Sequence, residues 1–185
     1  MIRPQFIPTD VQRILMALNR VELTVRREAD RLPRRASQKF AINLIEAIAG
    51  QKYAGNWASL SERYAKWKAE NGLSPNIWQA SGDLIHAIRS QPAKKSGTRK
   101  SFAYLAGISA SAIDSGGKNW SRKGPRKNIA WYGRMLEYGR PASGGKFGGP
   151  QPARPLFGPE FELFRGRTFH GYLLQPKRII IGAWR

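Results

Sequence analysis

A chain of 185 residues with a formal charge of +20, from 32 Lys and Arg against 12 Asp and Glu, can build one sizeable core and is drawn to polyanions. Its 41% hydrophobic content, including six Trp and eight Phe, argues against a disordered basic protein. The absence of Cys excludes disulfides, thiolate metal sites and cysteine nucleophiles together. No apolar run approaches the roughly 20 residues that span a bilayer, and Met1-Ile2-Arg3-Pro4 lacks the apolar core of a signal peptide. The expectation is a soluble protein of a reducing compartment with no membrane partner.

In chain order, Thr9 and Gln12 follow Pro8 at the spacing of a capping box. Val11, Ile14, Leu15, Leu18, Val21, Val25 and Leu32 then recur at three- and four-residue steps, the stripe of a long amphipathic helix. Pro33 disfavours the α conformation at Leu32 and predicts a break or kink there. A second helix follows on Phe40, Leu44, Ile45 and Ile48, with Gly50 as its C-cap. The two form either a helical hairpin or one kinked rod.

Ser59 and Glu62 repeat the capping-box pattern just after Trp57. Leu60, Tyr64 and Trp67 share the face of the helix so begun, and Asn71-Gly72 closes it. Ser74-Pro75 reads as an N-cap and first helical position. The next apolar face comprises Ile77, Trp78, Leu84, Ile85 and Ile88, interrupted by a turn at Ser81-Gly82-Asp83. The helical spacing assigns Trp57, Trp67 and Trp78 to core packing rather than to base stacking, which needs exposed rings.

Between Arg89 and Lys127 there are ten Lys or Arg and a single acid, Asp114. Phe102, Tyr104, Ala106, Ile108 and Ala110 alternate with their neighbours over Ser101–Ile113, a strand pattern in which Gly107 marks a bulge. The charges flank that strand in loops rich in Ser, Gly and Pro. Lys94, Lys95, Arg99 and Lys100 precede it; Lys118, Arg122, Lys123, Arg126 and Lys127 follow it. These nine are the candidate contacts for a polyanion or an acidic partner.

Asn128 is placed to cap a short helix with Trp131, Met135 and Tyr138 on one side. The segment Pro141–Pro150 carries Gly144, Gly145, Gly148 and Gly149 between two prolines, which precludes a regular element and predicts order only against a neighbour. Pro159-Glu160 begins a short helix presenting Phe161 and Phe164. Thr168–Leu174 and Arg178–Trp184 are β-like runs joined at Gln175-Pro176-Lys177, which predicts a C-terminal hairpin.

Little points to catalysis. The two histidines, His86 and His170, have no acid or second His at metal-ligand spacing. The acids are scattered singly, whereas a two-metal nuclease needs them clustered. Gly144-Gly145-Lys146-Phe147 lacks the spacing and the Ser or Thr of a phosphate-binding loop. The expectation is no enzyme, no cofactor and no metal.

Two stretches carry a resemblance. The first is Asn56-Trp57-Ala58-Ser59-Leu60-Ser61, then Tyr64 and Lys68, then Gly72-Leu73-Ser74 and Ser81-Gly82-Asp83-Leu84. The second is Tyr132 to Glu137-Tyr138-Gly139, then Ala153-Arg154-Pro155-Leu156-Phe157. In order and separation they are similar to the tail-completion and virion-morphogenesis proteins of tailed bacteriophages. Where those proteins continue into a C-terminal helix, Gly158, Pro159, Gly166 and Gly171 interrupt this chain.

The expected fold is a single α+β domain over residues 1–185, with N-terminal helices packed on a small, mostly antiparallel sheet and long exposed loops. Residues 1–50 form the helical region, 51–165 the family-like core and 166–185 the hairpin. The resemblance implies a structural virion protein, a hexameric ring in the neck or at the head-proximal tail end. It would complete the tail or join it to the head, against tail-tube and connector proteins and near packaged DNA, after assembly in the host cytoplasm. Ring contacts are heterologous, so each subunit needs two different patches. The candidates are Trp131, Tyr132, Glu137, Tyr138, Phe147, Arg154, Pro155, Leu156 and Phe157, with Arg154 pairing with an acid across the interface. The alternative is a stand-alone basic nucleic-acid-binding protein, although no RNP, zinc-finger or helix-turn-helix signature is present.

Overall fold

One helix organises the molecule. In the computed structural model, which describes residues 8–79, 81–92, 104–108, 128–140 and 150–184, α1 runs unbroken over Pro8–Ala49, 42 residues or about 63 Å at 1.5 Å per residue. The hairpin alternative is therefore out. Pro33 lies inside the helix, where it forfeits a backbone hydrogen bond. The face continuing past it through Ala36, Ser37, Ala41, Leu44 and Ile48 is buried, and that packing outweighs the local penalty. Thr9 and Gln12 fall within the first turns of the helix rather than at its cap.

The C-terminus of α1 is a Schellman motif displaced by one residue from the expected glycine. Gln51, not Gly50, adopts the left-handed conformation, at φ 50°. Its N–H donates to the Ile48 carbonyl at 3.2 Å and the Lys52 N–H to that of Ala47 at 3.0 Å. A non-glycine residue is held there by its own side chain: the amide nitrogen of Gln51 donates to the carbonyls of Ile48 and Ile77, and its oxygen accepts from the Ile77 N–H.

After a short 3-10 turn, α2 spans Glu62–Glu70. Its cap is Ser61, whose hydroxyl accepts from the Tyr64 N–H; Ser59, the expected cap, instead has its carbonyl engaged by Arg154. Asn71-Gly72 closes the helix as expected, with Gly72 at φ 63°. Ser74-Pro75 begins no helix: the Ser74 hydroxyl accepts from the Asn76 N–H in a local turn. Gly82, at φ 87°, precedes the five-residue α3, Asp83–Ala87.

Strand β1, Ile88–Pro92, follows directly and pairs antiparallel with β2, Tyr104–Ile108. The register runs one-for-one from Ile88↔Ile108 to Pro92↔Tyr104, so Gly107 sits opposite Arg89 with no bulge. The remainder of the expected 101–113 strand lies outside the described residues. The sheet lies on α1, with the Ser37 and Ser90 hydroxyls 2.5 Å apart. Helix α4, Ile129–Tyr138, is capped by Asn128, whose side-chain oxygen accepts from the Ala130 N–H at 2.8 Å.

The C-terminal hairpin is overturned. Helix α5, Phe157–Leu163, passes through a π-helical stretch, Phe164–Phe169, into α6, His170–Trp184, so the expected β-like runs and the turn between them are helical. Short apolar runs do not distinguish helix from strand, and here a long helical surface is available to pack against. Phe161 and Phe164 seat against Phe40 at ring distances of 5.9 and 5.3 Å, and α6 then lies along α1.

The described part of the fold is thus α+β: helices with a two-stranded antiparallel sheet. Its core joins the second half of α1 (Ala41, Leu44, Ala47, Ile48) to Trp57, Trp78, Ile88 and Leu156. Leu44, Ile48 and Leu156 are fully buried, each contributing about 1.5–3 kcal/mol. No described helix is long and apolar enough to cross a membrane.

Candidate functional site

The two motif-bearing stretches meet around the segment 153–158, through contacts between residues 76 to 98 apart in sequence. Arg154 is 4% exposed. Its Nε donates to the Ala58 carbonyl at 2.8 Å and one terminal nitrogen to that of Ser59 at 2.9 Å. Two indoles close on the same segment from the other side. Trp57 Nε1 donates to the Pro155 carbonyl at 2.8 Å, and Trp78 Nε1 to the Arg154 carbonyl at 3.0 Å. Burial pulls the Arg154 guanidinium below its ordinary value, countered by Tyr64 nearby; arginine stays charged throughout the accessible range.

Glu137, at the end of α4, supplies the third clamp. One carboxylate oxygen accepts from the N–H groups of Leu156 (2.7 Å) and Phe157 (3.0 Å), and the other from Gly158 at 3.0 Å. These are N–H groups at the start of α5 that no helical carbonyl reaches, so the carboxylate serves as a long-range N-cap of favourable charge. The Arg154 N–H donates to the Leu136 carbonyl, and Arg140 and Gln151 exchange two backbone bonds of 2.8 and 2.9 Å. Gly139 is required at this crossing. Its φ is 74°, and a Cβ would stand 2.8 Å from the Gln151 carbonyl oxygen and 2.9 Å from the Ala153 nitrogen.

Lys68 completes the cluster from α2. It is buried, and its ammonium donates to the carbonyls of Asn76 (2.7 Å) and Gln79 (3.0 Å). Burial lowers its pKa. It ties down the loop in which Trp78 takes φ 65°, a strained conformation for a bulky residue. That strain is offset by the burial of the indole, its hydrogen bond and an edge contact with Phe157 at 5.8 Å.

The expected interface residues therefore divide. Glu137, Arg154 and Leu156 are committed inside the subunit, and Arg154 does not pair with an acid across an interface: its fork is filled by two carbonyls of its own chain. Phe157 is half-buried against Trp78, and Pro155 gives its carbonyl to Trp57 while its ring is exposed. Trp131 and Tyr138, seven residues apart on α4, are 50% and 77% exposed. Trp131 stands edge-on to the half-buried Tyr132 at 5.6 Å. The cluster thus holds rigid a helix whose outer face is aromatic and open.

Phe147 and all nine basic candidates (Lys94, Lys95, Arg99, Lys100, Lys118, Arg122, Lys123, Arg126 and Lys127) lie outside the described residues. Trp57 and Trp78 are core residues, as expected, and Trp67 is half-buried and stacked on Tyr64 at 5.6 Å. One buried polar group had no sequence signal. Glu160, 3% exposed, accepts from both Lys52 Nζ and the Tyr53 hydroxyl at 2.7 Å, locking α5 to the end of α1. Among the described residues, no group of three His, Asp or Glu is placed to hold a metal ion.

Comparison with known protein families, with curated proteins and with solved structures gives no match.

Proposed function

We propose that this chain is a structural, non-enzymatic component of a tailed-phage particle. It forms a ring, hexameric in our reading, in the neck or at the head-proximal end of the tail, where it completes the tail or joins it to the head against tail-tube and connector proteins. One observation carries the reading. The residues on which the resemblance rests, Trp57, Ser59, Lys68, Glu137, Arg154 and Leu156, are brought together from distant parts of the chain into one hydrogen-bonded cluster, in which Trp57, Lys68, Arg154 and Leu156 are buried. Such a cluster is a scaffold, and it displays the exposed Trp131–Tyr138 face of α4. Large exposed aromatics on a rigid element are typical anchors of protein–protein contacts. The helical C-terminus also agrees with the C-terminal helix of the resembled pattern, while the long N-terminal helix has no counterpart in it.

Trp131→Ala with Tyr138→Ala tests this. Both side chains are exposed, so the variant should unfold within about 0.5 kcal/mol of wild type yet fail to form rings in negative-stain images or to complete particles. Particles lacking the protein should show separate full heads and tails, or overlong tails. Normal particles in its absence would refute the reading. The charge of +20 favours a second one, a nucleic-acid-binding protein acting alone. Tight duplex binding by the monomer, with a steep log–log salt slope, would decide for that.

A further inference from the structure

The first half of α1 has no core of its own. No residue from 9 to 27 is buried, whereas burial is regular from Ala36 onward. Along this half only Ala17, Val21 and Thr24 are partly covered, leading to the buried Glu28, a stripe at four- and three-residue steps that marks the seat of one neighbouring helix. That neighbour is α6. It leaves the core where Phe164 meets Phe40, and only nine residues of α1 lie beyond Phe40 toward its C-terminus. A 15-residue helix lying along α1 must therefore run back toward the N-terminus. The two form an arm.

Beside the covered stripe, Val11, Leu18 and Val25 repeat at seven-residue spacing with Ile14 and Leu15 on their shoulders, all between 41% and 55% exposed. On α6, Leu174 and Ile181 repeat at the same spacing and are half-exposed. A seven-residue apolar line is the seam by which helices pack into coiled coils and bundles.

We propose that this arm is an association surface whose occupant is the arm of a second copy of the same chain, the two closing into a helical bundle. Charge singles out the occupant. Residues 8–32 hold five Arg and four acids, a net of +1, and α6 adds Lys177 and Arg178, so the two helices together carry +3 of the total +20. Three of those acids face an Arg one turn on: Asp10–Arg13 at 3.9 Å, Glu22–Arg26 at 2.6 Å and Glu28–Arg31 at 3.7 Å. The α1 half of the arm is thus nearly neutral on a strongly cationic molecule. That half offers little field to nucleic acid, an anionic bilayer or an acidic protein, and two such faces repel each other little. This contact adds a second patch, distinct from the α4 face, to the ring reading, and it stands without that reading.

Light scattering and sedimentation of the full chain over a concentration series test it. Wild type should exceed the 20.8 kDa of one chain, and Leu18→Glu with Val25→Glu should raise the dissociation constant at least tenfold with the circular dichroism of the folded chain retained. A monomeric wild type, or a double variant that associates as wild type does, overturns the proposal. Should the double variant fail to fold, a nitroxide on Leu18→Cys, in a chain without native Cys, gives the answer directly. Intermolecular dipolar broadening that disappears on dilution with unlabelled protein supports the contact, and its absence overturns it. A monomer whose binding to phosphatidylcholine vesicles is lost in the double variant would give the face to lipid instead, and also overturns the proposal. Trp131→Ala with Tyr138→Ala, which should break the ring, is expected to leave arm association intact, so the two readings fail separately.

Discussion

Arg154 shows how a residue's neighbours override its type. An Arg framed by proline and apolar residues reads from sequence as a surface anchor, because arginine is seldom buried without a carboxylate. Here two main-chain carbonyls satisfy it, and its planar fork fixes the spacing of residues 58 and 59. Arg154→Ala should therefore lower unfolding stability by about 3 kcal/mol, and Arg154→Lys, which keeps the charge but not the fork, by about 1–2 kcal/mol in urea titrations. Tyr53 gives a pH-dependent counterpart. Burial first, then its hydrogen bond to Glu160 and that carboxylate's charge, raise its pKa well above the ordinary value of 10.0. The unfolded chain thus loses this proton before the folded chain does, and stability from Tyr53, present in full below pH 10.0, falls as pH rises beyond it. The Tyr53→Phe variant should be less stable at neutral pH but show a shallower loss between about pH 10 and 12.

Among the elements, the C-terminal helix departs furthest from the sequence reading. Gly166, Gly171 and Gly182 look like helix breakers, but a Cβ at any of them would meet nothing within 4 Å. The glycines are tolerated in a helix that packing along α1 imposes, and each costs what glycine costs in a helix interior. Gly171→Ala and Gly182→Ala should each stabilise the chain by about 0.5–1 kcal/mol and raise its helical circular dichroism. In a hairpin the same changes would do neither. Gly139 is the contrasting case: its positive φ and the backbone atoms around it predict that Gly139→Ala destabilises by about 2 kcal/mol or more. One measurement series, thermal or urea unfolding of the three variants, checks both signs.

At the scale of the whole molecule, stability is unevenly distributed along one helix. The core gathers on the second half of α1, while no described residue of α1 before Glu28 is buried. Local opening free energy should follow that gradient. In the Leu18→Glu, Val25→Glu chain, amides of residues 9–27 should exchange with deuterium well before those of residues 36–48, and uniform protection along α1 would contradict the division. The same partition separates charge from packing. The first half of α1 is nearly neutral, and most of the cationic excess lies elsewhere in the chain.

The sequence alone determined whatever depends on local periodicity and capping. The apolar stripe of α1, the caps at Asn128 and Asn71-Gly72, the strand around Tyr104–Ile108 and the core role of Trp57 and Trp78 are legible because neighbours a few residues apart set them. Only the tertiary structure decided that Pro33 leaves α1 whole, that residues 168–184 are helical, and that Glu137 and Arg154 serve the subunit's own interior. In each case a partner from about twenty to more than a hundred residues away supplies the decisive packing or hydrogen bond, and no local pattern records which distant group a buried charge will meet.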